Sequence, residues 1–238
     1  MSWPEVTIIA VALLGASVLQ SSIGFGMGML AAPIIGVIDP SLLPGTIVLL
    51  AVLVTAVGTW KERRDLDLRG AGWALTGRIP GSLLGAWLVA ILSPDALAWV
   101  VAAVVLAGVC MAFVGWAPHP GRRNLMVAGL ASGVMGTSTS IGGAPMALIW
   151  QGSHGPRLRG TMSAFFLIGS LISAGALIVV GAVTPQTYQL VVWMIPVVLL
   201  GYLLSRFINR VLDRRRLRLT ALIASAGGAA LLIGALIF

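Results

Sequence analysis

Eight long apolar runs fill most of this chain, and two of them are broken in the middle. They cover residues 6–38, 42–60, 71–92, 96–116, 125–150, 161–182, 188–207 and 219–238. A helix crossing a bilayer needs about 20 apolar residues, because the hydrocarbon core is about 30 Å thick. The chain therefore reads as an all-α polytopic membrane protein with little loop. Of its 238 residues only 9% are charged, against about 25% in soluble domains.

The same composition excludes several functions. The net charge of +8 comes from fifteen Lys and Arg in short clusters beside apolar runs, which is how orientation signals look. We therefore expect the lipid bilayer as a partner and no nucleic acid. The single Cys110 lies inside an apolar run, which leaves neither a disulfide nor a thiolate metal site. His119 and His154 read as solvated loop residues, so no metal and no cofactor are expected. Met1–Glu5 lacks the basic start of a cleavable signal.

The breaks fall at 20–28 and 136–145, where Gly, Ser and Thr interrupt apolar sequence. The two halves also repeat. Ile79, Pro80, Leu83, Leu84, Gly85 and Leu88 recur as Ile195, Pro196, Leu199, Leu200, Gly201 and Leu204, a spacing of 116. Ser22-Ile23-Gly24 recurs as Ser140-Ile141-Gly142, and Gly45-Thr46 as Gly160-Thr161. Three matches at nearly one offset point to duplication.

Charge then selects a topology. If 125–150 crossed once, the basic loops at 122–123 and 157–159 would lie on opposite sides, against the positive-inside bias. If it enters and returns as a hairpin, all basic loops share one side. The arms, about 125–136 and 145–151, are also short for separate spans. The predicted plan is two inverted repeats, each a re-entrant or broken hairpin plus three transmembrane helices. The first repeat is 1–116 (hairpin 6–38, helices 42–60, 71–92 and 96–116). A cytoplasmic linker follows at 117–124. The second repeat is 125–238 (hairpin 125–150, helices 161–182, 188–207 and 219–238). This puts the N-terminus and Asp39 outside a cell (inner) membrane and the basic loops in the cytoplasm. Inverted repeats are a common plan for secondary transporters, with the site at the repeat interface.

Irregular backbone at membrane depth must be buried in protein or line a cavity. The two tips are therefore predicted to face each other. Each starts a short helix whose unpaired N–H groups and dipole favour an anion. The expected anion ligands are Gln20, Ser21, Ser22, Gly24, Phe25 and Gly26 at the first tip. At the second they are Thr137, Ser138, Thr139, Ser140, Gly142 and Gly143. Gly and Ser also occur in membrane helices simply to allow close packing; it is the two clusters together that point to binding. Arg78 is the one basic residue well inside an apolar run, a functional candidate by default, although snorkelling to the surface is the bland reading. Arg159 precedes the 161–182 run and is expected at the inner mouth. Arg157 reads as an anchor.

The seven acids are Glu5, Asp39, Glu62, Asp65, Asp67, Asp95 and Asp213, all at ends or in loops. None suits a mid-membrane proton relay. Anion export needs none, since a negative interior favours exit by about 2.3 kcal/mol per charge per 100 mV. Trp3, Trp60, Trp73, Trp99, Trp116 and Trp150 flank apolar runs as interfacial anchors; Trp87 and Trp193 read as packing.

Several segments carry a family resemblance. They are Ile23-Gly24-Phe25-Gly26 with Ala32-Pro33, Gly133-Val134-Met135-Gly136, Gly142-Gly143-Ala144-Pro145 with Gln151, and Arg159-Gly160-Thr161. The chain resembles the TauE/SafE sulfite-exporter family of anion permeases over nearly its whole length, departing at Ala144, where many relatives have Pro. The resemblance implies a transporter, often an exporter, of sulfite, organosulfonates or related anions. The expected substrate is thus a small sulfur-containing anion, moved by alternating access and held between the tips; a permease or channel for another small anion or metabolite is the alternative. An enzyme is disfavoured by the lack of a His, Cys or carboxylate cluster in the membrane, and a scaffold would need no polar breaks. A homodimer is compatible with the sequence, which does not determine it.

Overall fold

The computed structural model describes residues 1–114, 119–150, 155–211 and 214–237. Trp116, Gln151, His154, Asp213, the end of the 96–116 run and the start of the linker lie outside them. Among the described residues ten α-helices follow one another: α1 (Trp3–Ile23), α2 (Met27–Ile38), α3 (Gly45–Lys61), α4 (Leu68–Ile91), α5 (Pro94–Val114), α6 (Arg122–Thr139), α7 (Gly143–Ile149), α8 (Gly155–Val179), α9 (Pro185–Val211) and α10 (Arg214–Ile237). A 3-10 turn, Pro40–Leu42, leads into α3. The described residues contain no strand. The fold is all-α, as expected.

Within α1, α4, α8 and α9 are stretches long and apolar enough to cross a membrane. Their outward faces confirm the solvent they are built for. On α4 the exposed large apolar side chains include Ile79, Leu83, Leu84 and Trp87, while Gly77, Arg78, Gly81, Ser82 and Gly85 turn inward. On α9, Trp193, Leu200 and Leu203 face out. Large apolar outside and small or polar inside inverts a soluble bundle and suits lipid.

Small residues also set the tightest packing, between α4 and α6. Gly77, Gly81 and Gly85 recur every four residues, so they share one face of α4. A Cβ on Gly81 would lie 3.1 Å from Gly133 Cα, and one on Gly85 would lie 2.8 Å from the Val134 carbonyl oxygen. The two backbones therefore touch with nothing between them. The corresponding contact joins α9 to α1, where a Cβ on Gly201 would lie 2.7 Å from the Leu14 carbonyl oxygen.

The buried apolar side chains form two main clusters. One gathers α1, α2, α3, α5, α9 and α10, around Leu13, Met27, Ile47, Val101 and Val198. The other gathers α4, α6, α7 and α8, around Met146, Met162, Phe165 and Phe166. Both chain breaks lie where these clusters meet.

The entering arms of the breaks are longer than expected. α1 has 21 residues and runs through Gln20, Ser21 and Ser22 to Ile23; α6 has 18 and runs through Thr137, Ser138 and Thr139. At about 1.5 Å per residue they are about 31 and 27 Å long. The return arms are short, 12 residues in α2 and 7 in α7. The reason is local: a Ser or Thr whose hydroxyl bonds back to its own helix does not end it.

Candidate functional site

Within the two breaks, the irregular backbone is confined to Gly24–Gly26 and Ser140–Gly142. Gly24 (φ 90°) and Gly26 (φ 107°) take left-handed conformations, which cost a residue with a Cβ about 1–2 kcal/mol. At the second tip the left-handed residue is Ser140 (φ 64°), while Gly142 is ordinary (φ −84°). Gly142 is small for another reason: a Cβ there would lie 2.6 Å from the Ser132 carbonyl oxygen and 3.1 Å from Arg78 Nη1.

The two irregular segments touch. Gly28, at the start of α2, packs directly on the Ser140 carbonyl, and a Cβ on Gly143 would lie 2.9 Å from the Phe25 ring. They also overlap in depth. A Cβ on Gly24 would lie 3.5 Å from Arg159 Cα, whereas the Ser140 hydroxyl donates to the Pro44 carbonyl, 3.1 Å away, just before α3. Each tip thus reaches toward the opposite end of α3.

The hydroxyls do not point as expected. Those of Ser21 and Ser22 donate to the Ser17 and Val18 carbonyls, both 2.7 Å away. Those of Ser138 and Thr139 donate to Val134 and Met135 at 2.8 and 2.6 Å. Their protons are spent inside their own helices. The Thr137 hydroxyl shares a 2.7 Å hydrogen bond with Ser173. Gln20 braces the first tip: its amide donates to the Gly24 carbonyl and accepts from Met27 N–H, both at 3.2 Å. One of the N–H groups expected to hold an anion therefore already has a partner.

Arg78 is the strongest feature. It lies mid-helix in α4, 2% exposed, so it does not snorkel to the surface. Its Nη1 donates to the Ser132 hydroxyl (2.6 Å) and to the Ser132 carbonyl (3.1 Å). Its guanidinium carbon sits 5.0 and 5.3 Å from the Phe165 and Phe166 ring centres. Gly169 on α8 leaves the space for its shaft. Nε is buried without a hydrogen-bond partner, and among the described residues no carboxylate pairs with it. Taking a cation out of water costs several kcal/mol even after relaxation. The ring faces return about 0.5–2 kcal/mol, and hydrogen bonds to a charged group about 1.5–3 kcal/mol. None of these neutralises the charge, so the surroundings favour an anion.

A cavity of about 40 Å³ opens beside it, lined by Arg78, Gln20, Phe25, Gly136, Gly142 and Ser173 among others. A single water needs about 10–15 Å³, so there is room for a few atoms. Of the other expected ligands, Gly26, Ser140 and Gly143 also line this chamber, whereas Ser21 and Arg159 line a separate, larger one. Among the described residues, no group of three His, Cys, Asp or Glu could hold a metal ion.

Sequence reasoning missed Ser132, Ser170, Ser173 and the Phe165–Phe166 pair. Ser132 joins three elements: besides accepting from Arg78, its hydroxyl donates to the Gly142 carbonyl at 2.6 Å. The available signal was the spacing of Ser132 and Gly136, which puts both on one face of α6. Ser170 and Ser173 share a face of α8 in the same way.

Comparison with known proteins agrees with this architecture. No curated protein and no solved structure matches the chain. A family described as Sulfite exporter TauE/SafE matches residues 8–232, nearly the whole length. An all-helical chain with lipid-facing apolar surfaces and a buried, uncompensated arginine where two broken segments meet thus belongs to the TauE/SafE family of membrane transporters.

Proposed function

We propose that the chain exports a small sulfur-containing oxyanion, sulfite or an organosulfonate, by alternating access, with the anion held against Arg78 between the two tips. The observation that carries this is the buried guanidinium with one unpartnered N–H and, among the described residues, no carboxylate partner. A guanidinium offers a planar fork matched to two oxygens of one anion. The ligand set differs from the one read in the sequence. Arg78, Ser173 and the tip backbone at Gly26, Gly28 and Gly142 line the chamber, while Ser22, Ser138 and Thr139 serve their own helices.

Reciprocal contacts support the inverted-repeat plan. Gly45, at the start of α3, packs on the loop before α9 and on the first turn of α9, with its Cβ position 3.6 Å from Val183 Cγ2 and 3.1 Å from Thr187 Cγ2. Its repeat counterpart Gly160, on α8, packs on the loop before α4, 2.9 Å from Glu62 Cβ. The α4–α6 contact at Gly85 likewise mirrors the α9–α1 contact at Gly201. In this reading the repeats are 1–116 and 125–238. The basic loops face the cytoplasm of a cell with this chain in its inner membrane, and the N-terminus lies outside. The membrane potential drives exit.

The test is flux of radiolabelled sulfite and of a short organosulfonate in proteoliposomes, with an imposed potassium–valinomycin potential. The expected result is saturable flux that follows the potential and falls about tenfold or more in Arg78→Lys, because an ammonium lacks the fork. Wild-type flux in Arg78→Lys and Arg78→Gln would overturn the role of Arg78. No flux of any sulfur anion through folded protein would overturn the cargo.

A further inference from the structure

A second cavity, of about 260 Å³, lies at the C-terminal end of α3. Lys61, Arg159 and Arg206 line it, together with Glu62, Ser163 and Tyr202. Three cations face one carboxylate there, so the cavity carries net positive charge. Arg159 holds Glu62 with two donors, Nη2 at 2.6 Å and Nε at 3.2 Å. Both side chains are largely buried, 23% and 13% exposed. Glu62 is pressed against the first turns of α8 at Gly160, while its place at the C-terminus of α3 is electrostatically poor for an acid. Arg159 is therefore what holds it.

This cavity is aligned with the chamber. Ile47 and Ala51 line the chamber, and Val54, Gly58 and Lys61 line the second cavity. Steps of four, three, four and three residues keep all five on one face of α3. Ala51 to Lys61 spans about 15 Å of helix. Gln20 is the wall common to both cavities, and it is held by its bonds to Gly24 and Met27.

We propose that the cavity at the C-terminal end of α3 is a second anion site, where an arriving small oxyanion takes Arg159 from Glu62 before passing Gln20 to Arg78. The proposal rests on the reading of the cargo as an oxyanion. The two Arg159 N–H groups that converge on Glu62 Oε1 can donate equally to an oxygen of sulfite or a sulfonate, so Glu62 occupies the position of the cargo when the cavity is empty. Lys61 and Arg206 then supply the charge that makes the exchange favourable. Competition from Glu62 keeps the site weak, which a transfer station requires: binding strong enough to enter and weak enough to leave.

The experiment is equilibrium binding of radiolabelled sulfite to the purified full chain in nanodiscs. Wild type is expected to show two sites. Arg78→Gln should keep the weaker one, and adding Glu62→Gln to it should tighten that site about threefold or more, the effect of removing one partly exposed competitor. Adding Lys61→Gln and Arg206→Gln should abolish it. Lys61 and Arg206 are both exposed, so that variant is expected to fold even if Glu62→Gln does not. Complete loss of binding in Arg78→Gln, or residual binding indifferent to Lys61 and Arg206, overturns the second site and leaves the exporter reading intact. Two sites persisting in Arg78→Gln would instead remove Arg78 from the proposed function while this site stands. A folded wild type that binds no sulfite overturns both.

Discussion

Replacing Ser132 with alanine tests the reasoning about Arg78 most directly. Ser132 is fully buried and its hydroxyl serves two partners. It accepts from Arg78 Nη1 at 2.6 Å and donates to the Gly142 carbonyl at 2.6 Å. The first bond involves a charged donor and is worth about 1.5–3 kcal/mol. The second is neutral and between segments in a membrane protein, where such bonds average about 0.6 kcal/mol. The Ser132 carbonyl still accepts from Nη1 at 3.1 Å, which tempers the loss. Ser132→Ala is thus expected to cost about 2–3 kcal/mol, or roughly 4–12 °C of melting temperature for a chain of this size. Thermal unfolding in one detergent, with sulfite flux measured in parallel, is the assay. A double-mutant cycle with Arg78→Gln isolates the shared term, expected at about 1 kcal/mol or more. A Ser132→Ala protein within about 0.5 kcal/mol of wild type, with no coupling to Arg78, would refute the claim that Ser132 orients the guanidinium. Stability lost with flux kept would restrict Ser132 to a structural role.

Other substitutions separate the tip backbone from its hydroxyls. Ser22→Ala and Ser138→Ala should leave sulfite KM within about twofold, because both hydroxyls donate to their own helices; a tenfold rise in KM would restore them as ligands. Gly28→Ala should abolish flux, because its Cβ would strike the Ser140 carbonyl and force the tips apart; wild-type flux would show that tip contact is dispensable. Gly81→Leu should separate α4 from α6 and lower stability by about 2 kcal/mol or more, read by unfolding, whereas Gly72→Ala, inside α4 with open space around it, should raise stability by up to about 1 kcal/mol. Gly26→Ala, at φ 107°, should lose about 1–2 kcal/mol of stability.

Hydropathy and a few interruptions carried much of this protein in one dimension. The apolar runs announced a membrane bundle because transfer into hydrocarbon depends on local composition, which a sequence displays directly. The positions of the breaks, and the isolation of Arg78 in an apolar run, were legible for the same reason. Direction within a helix was not. Ser21, Ser22, Ser138 and Thr139 looked like ligands because hydroxyls are rare in such runs. A helical Ser or Thr always has an i−4 carbonyl within reach, and only the folded backbone shows that the reach was taken. The second tip made a similar point: the turn fell on Ser140 rather than a glycine, and Gly142 was small because Ser132 and Arg78 crowd it. The tertiary structure alone decided the partners separated by long stretches of chain. Arg78 meets Ser132 across 54 residues, and Arg159 meets Glu62 across 97. No spacing rule encodes such contacts, because they are set by which helix faces pack together, and that choice is made by glycines lying flat against a neighbouring backbone.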